Sequence, residues 1–129
     1  MIKRLLLTGA ALASLAVTSL VSAAPASADS TISLWNSDHI IRYGYGHFAS
    51  DGEIFTACDT YADGKGISVN WYVVSNPSNH GEAYDSNGAN NGCATSNATI
   101  TEGREIAYRV CRRDEGAYVF CSDYFRDRA

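Results

Sequence analysis

The chain has 129 residues, 46% of them hydrophobic and 11% aromatic, with 14 acidic against 10 basic side chains and a formal net charge of −4. That balance disfavours nucleic acid and anionic membranes as partners. The length allows one domain with a core that is marginal without added staples.

The first stretch reads as a targeting signal. Lys3 and Arg4 precede an apolar run from Leu5 to Val21, and Ala26-Ser27-Ala28 has the small-x-small pattern of a cleavage site. Residues 1–28 are therefore expected to be a secretory signal peptide, with Ala24 as an earlier alternative site. A membrane anchor is disfavoured, because Thr8, Gly9, Ser14, Thr18 and Ser19 interrupt a run that would need about 20 apolar residues to span. Removing Lys3 and Arg4 leaves a mature domain starting at Asp29, with eight basic side chains, one of which, Lys65, is a lysine. The expected location is secreted, extracellular, with no membrane association after cleavage.

Residues 29–50 read as an N-terminal arm and a first strand, and residues 51–129 as the main core. Asp29 to Asp38 is an edge strand or a loose arm. Ile40 to Phe48 is a strand with Ile41, Tyr43, Tyr45 and His47 on one face. Gly44 and Gly46 leave the other face bare, a pattern that marks a bulge or a close approach of another backbone. Ser50-Asp51-Gly52 turns the chain into a strand from Glu53 to Asp59. Ala62-Asp63-Gly64-Lys65-Gly66 is expected to be a tight hairpin turn. Beyond it, Ile67, Val69, Trp71 and Val73 alternate onto one face, which places Cys58 and Trp71 on adjacent strands. Asn76-Pro77-Ser78-Asn79 is a breaker, and Gly81 to Asp85 a short strand. A polar loop with two Asn-Gly steps leads to Cys93, and a short strand follows before Ile100. Arg104 to Arg112 alternates, with Ile106, Tyr108 and Val110 inward. Asp114-Glu115-Gly116 is a hairpin tip, Tyr118 to Phe125 returns, and Arg126 to Ala129 is a frayed tail.

This makes about seven short strands and an all-β, Ig-like antiparallel β-sandwich by shape. The Tyr-x-Cys signature of immunoglobulins is not met, since Tyr108 lies three residues before Cys111. All four cysteines follow residue 28, and an even count in a secreted domain predicts two disulfides. Cys111 and Cys121 flank a hairpin turn and pair most simply with each other, leaving Cys58 with Cys93. The absence of any Cys-x-x-Cys argues against a zinc site.

Three segments resemble a widespread set of small secreted, disulfide-bonded proteins of actinobacteria, the Streptomyces type included. They are Cys58-Asp59-Thr60-Tyr61-Ala62-Asp63-Gly64, then Asp85 to Thr95 around Cys93, then Tyr108 to Asp114 with Cys121-Ser122. The resemblance covers roughly residues 53–124 and rests on the order and spacing of the cysteines. It implies a secreted β-sandwich with no known catalytic residues. Some proteins of this kind are adaptor subunits of umbrella toxin particles. The chain is also similar in plan to two-disulfide amylase inhibitors of the tendamistat type. It departs from their Trp-Arg-Tyr triplet, the nearest match being Ile41-Arg42-Tyr43, and this argues against amylase inhibition.

No catalytic residues, metal site or cofactor are expected. His39, His47 and His80 lack metal spacing, and no Gly-x-Ser-x-Gly element occurs. Asp85-x-Asn87 fails as a calcium loop, because Ala89 and Asn90 stand at the fifth and sixth positions. The expected function is a non-enzymatic protein-binding or adaptor domain whose partner is another secreted protein or a cell-surface polymer. Inhibition of an extracellular hydrolase is the alternative, and a small hydrolase the second. Trp35, Tyr43 and Tyr45 are the candidate contact residues, with Lys65 as a lone cation at a stiffened turn.

Overall fold

The computed structural model describes residues 29–129. The expected signal peptide, residues 1–28, lies outside the described residues. Among the described residues, nine strands form two antiparallel sheets and there is no helix. The strands are β1 (Ser30–Trp35), β2 (Arg42–Ala49), β3 (Ile54–Asp59), β4 (Gly66–Val73), β5 (Asn76–Asp85), β6 (Ala94–Asn97), β7 (Glu105–Asp114), β8 (Ala117–Cys121) and β9 (Phe125–Arg128). Sheet A has the order β1-β2-β3-β6. Sheet B has the order β5-β4-β7-β8, with β9 also on β7. Because β1, β2 and β3 form a simple meander, the likeness to immunoglobulin domains is one of shape.

The two additional strands come from the termini. β1 pairs along β2 and buries Leu34 in the core. The Ser30 hydroxyl meets the Tyr108 hydroxyl at 2.8 Å and donates to Asp127, which ties β1 to sheet B. The expected frayed tail is β9. It pairs with Glu105 to Tyr108, and the Ala129 amide donates to the Arg104 carbonyl at 3.0 Å. The breaker after Val74 takes the form of a bulge. β4 and β5 turn at Val74-Ser75, and the register jumps between Val73↔Asn76 and Tyr72↔His80, so Pro77 to Asn79 stand outside the ladder.

The core is aromatic. Phe55 lies 4.9 Å from Trp71 in near-parallel stacking and 4.7 Å from Phe48, with Tyr108 edge-on at 6.0 Å. Val69, Val110, Ile67 and Ile106 fill the space around them. The bare glycine face of β2 turns inward. A Cβ on Gly46 would sit 2.6 Å from Val69 and Val110 methyls. At Gly46 the close approach is thus of side chains from the opposite sheet, while at Gly44 it is of the Cys58 backbone carbonyl, as expected, together with Ile67, and Tyr43, Tyr45 and His47 take the other face of β2.

Both disulfides join as expected, Cys58 to Cys93 and Cys111 to Cys121. Cys93 ties the loop before β6 to β3, and Cys121 lies opposite Cys111 in register. The hairpin tip between β7 and β8 has positive φ at both Glu115 (49°) and Gly116 (84°), as a two-residue turn of the right-handed ladder requires.

One turn differs from expectation. Residues 62–66 do not close a hairpin, because β3 belongs to sheet A and β4 to sheet B. They form the crossover between the sheets, and Cys58 and Trp71 sit on strands of different sheets. Gly64 does have positive φ (74°), and Asp63 Oδ1 accepts from the Lys65 amide at 2.9 Å. Local turn chemistry is satisfied equally by a hairpin or a crossover. Pairing is a long-range property.

Candidate binding surface

The outer face of sheet B carries a ladder of arginine and tyrosine. It is built from outward positions on four strands and the link before β9. Arg113 stands 4.2 Å from the Tyr84 ring and 4.8 Å from Tyr118. Arg109 stands 5.7 Å from Tyr118 and 4.9 Å from Tyr124. Tyr124 meets the edge of Tyr72 at 5.3 Å. Glu82 holds the middle together. It pairs with Arg113 and accepts hydrogen bonds from Asn70 Nδ2 at 3.0 Å and the Tyr118 hydroxyl at 2.9 Å. Such cation–aromatic contacts contribute about 0.5–1 kcal/mol each at exposed sites, and they order side chains that would otherwise be free.

β8 borders this ladder and is an edge of sheet B, paired among the described strands with β7 alone. Tyr118, Val119 and Phe120 are 47%, 52% and 49% exposed. Phe120 turns toward sheet A, where Trp35, Asn36, Ser37, Tyr43 and Arg112 complete a recess of about 240 Å³. Arg112 is held in place on two sides. It pairs with Asp63 of the crossover and lies 4.0 Å from the Tyr43 ring.

The structure therefore brings Trp35 and Tyr43 together in one recess. Tyr45 stands apart on the outer side of β2, 5.2 Å from the Arg42 guanidinium. Lys65 is placed differently from a free turn tip. Its side chain is 29% exposed, and Nζ lies 3.8 Å from Asp114. That pair sits beside the β7–β8 hairpin, at the rim of the same region. The ladder residues and Phe120 escaped the sequence reading. The available signal was parity: Tyr72 and Arg109 already fell on the outward side of their alternating strands.

No catalytic constellation is assembled from the residues singled out. His39 lies between β1 and β2, His47 on β2 bonded to Thr31, and His80 on β5 of the other sheet. Among the described residues, no three His, Cys, Asp or Glu side chains converge to hold a metal ion. Nor does any described helix have the length and apolarity to cross a membrane.

Two carboxyls lie close together under the crossover. Asp85 is 2% exposed and Asp59 is 6% exposed. Asp85 Oδ2 accepts from the Asp59 amide at 2.8 Å, while Asp85 Oδ1 has no partner. Burial pushes the Asp59 carboxyl above its ordinary pKa. The Tyr61 amide opposes that shift, the nearby Asp63 and Asp85 charges add to it, and Arg112 again opposes it. The cluster joins β3 to the end of β5 and has the character of a structural strut. No protein-family model, curated protein sequence or solved structure matches the chain.

Proposed function

We propose that the chain is a secreted, non-enzymatic protein-binding or adaptor domain whose contact surface is centred on β8. The observation that carries this reading is the edge itself: three consecutive large apolar side chains, each about half exposed, on a strand whose outer edge pairs with no other described strand. Edge strands are normally blunted by charge or proline to prevent pairing with other chains. Ala117-Tyr118-Val119-Phe120-Cys121 has neither. Around it stand Trp35, Tyr43, Arg112 and the ladder, and Trp, Tyr and Arg are the residue types that dominate interface energies. The Cys111–Cys121 disulfide ties β8 to β7 and limits the entropy lost when a partner docks. Lys65 and Asp114 form the charged rim, where they set approach rather than affinity. The signal-peptide reading places the partner outside the cell, as a secreted protein or a cell-surface polymer. The resemblance to secreted adaptor proteins favours a protein.

The test is recovery of a stoichiometric partner from the culture supernatant of the source organism under non-reducing conditions. Phe120→Ser should then lower affinity about tenfold, or about 1.4 kcal/mol. His47→Asn, on the outer side of sheet A, should leave it unchanged. Hydrolase inhibition is distinguished by a partner enzyme that loses activity on binding. Turnover of a polymer by the domain alone would contradict the proposal.

A further inference from the structure

Arg109 lies against the Tyr118 and Tyr124 rings but has no carboxylate partner among the described residues. Arg112, Arg113 and Arg126 pair with Asp63, Glu82 and Glu105, whereas Arg109, like Arg42, Arg104 and Arg128, forms no salt bridge among the described residues. This is so in a chain with surplus carboxylates. Its Nε is buried without a hydrogen-bond partner. Asn70 lies opposite it in register and donates its amide group to Glu82 and to the Tyr118 hydroxyl, leaving its own buried Oδ1 unpartnered. Asn70, Tyr72, Pro77, His80 and Tyr124 surround the Arg109 side chain in a recess of about 350 Å³. A buried donor left unmade costs about 1–3 kcal/mol, so Arg109 favours a ligand that brings an acceptor to its guanidinium, while the Asn70 Oδ1, an acceptor itself, is left to other donors.

We propose that this recess receives an acidic side chain, an aspartate or glutamate carboxylate on an extended segment of the partner protein, held by the Arg109 guanidinium. This rests on the reading of β8 and its surroundings as a protein-binding surface. Charge fixes the sign of the ligand. A guanidinium offers five donors and no acceptor, in a fork that matches a carboxylate. The ladder fixes its class. Tyr84, Tyr118 and Tyr124 each already have a guanidinium against the ring. That contact takes ring area on which a sugar would stack, and leaves the guanidinium's remaining N–H donors for an acceptor. The volume is at the small end of ligand clefts and suits a single side chain.

The isotope-labelled domain, disulfides intact, is titrated with acetyl-Gly-Asp-Gly-amide, with the neutral acetyl-Gly-Asn-Gly-amide and with glucuronate, and backbone amide shifts are followed. The aspartyl peptide should shift the amides of Asn70, His80, Gly81 and Arg109 and bind about tenfold more tightly than the asparaginyl peptide. Arg109→Gln, with the remaining spectrum native, should remove that preference, and Arg109→Lys should keep part of it. Equal response to both peptides, no response, or an unchanged preference in Arg109→Gln would overturn the assignment. Saturable binding of glucuronate without binding of the aspartyl peptide would also overturn it and reassign the recess to an acidic polysaccharide. The titration needs no recovered partner, so its failure and the failure of the β8 surface are separate results.

Discussion

Gly46 of β2 faces Val110 of β7 with no room for a side chain between them: a Cβ at residue 46 would lie 2.6 Å from Val110 Cγ2 and the same distance from Val69 Cγ2. The missing side chain in sheet A is the space that sheet B fills. Gly46→Ala should therefore act as an overpacking substitution, destabilising by about 1–3 kcal/mol. Chemical denaturation with the disulfides intact measures it. An unchanged midpoint would mean that the sheets are further apart than described.

The β7–β8 turn offers the opposite kind of change. Glu115 has φ 49°, a left-handed conformation that asparagine tolerates better. Glu115→Asn makes the turn Asn-Gly, the preferred pair for this geometry. It should stabilise by about 0.5–1 kcal/mol, as optimised turns commonly do. A loss of stability would indicate that the carboxylate has a role the contacts do not reveal.

Asp59 predicts a pH dependence. Its carboxyl is pushed above its ordinary pKa of 3.8, first by burial. A raised acid binds its proton more tightly in the folded state, so its contribution favours the folded protein at low pH. That contribution is lost as pH rises from about the ordinary value through the folded one. Asp59→Asn keeps an acceptor for the Tyr61 amide and removes a buried charge beside Asp85. It should raise Tm at pH 7, and the two proteins should converge as the pH falls below 4. A variant less stable at pH 7 than the wild type would show that the Arg112 attraction outweighs burial.

Export is tested by the mass of the secreted protein. Cleavage after Ala28 predicts an N-terminus at Asp29, and non-reduced peptide mapping should give Cys58–Cys93 and Cys111–Cys121 peptides. A retained N-terminal segment or free thiols in the exported protein would contradict the secretory reading.

Much of this fold was legible because its cues are local. Ile67, Val69, Trp71 and Val73 alternate cleanly, Glu115-Gly116 marks a tight hairpin, and the even cysteine count pairs through it. The crossover at Asp63-Gly64 was not legible as such, since its turn geometry is the same whichever strand follows. β9 was hidden because Arg126-Asp127-Arg128 reads as solvated charge, yet backbone pairing with β7 needs no apolar side chain. The candidate surface was half legible. Trp35 and Tyr43 follow from β1 and from the glycines of β2. The ladder draws Tyr84, Arg109, Arg113 and Tyr118 from three strands, with Tyr72 and Tyr124 extending it, and only the sheet order brings them side by side.

The claim that β8 and its neighbours form a protein-binding surface is tested most directly by amide hydrogen exchange on the domain alone and in complex with its recovered partner. Exchange should slow across Ala117–Cys121 and at Asn36 and Ser37 when the partner is bound, with the outer side of sheet A around His47 and Thr56 unaffected. Protection confined to sheet A, with β8 exchanging as fast in the complex as in the free domain, would contradict it.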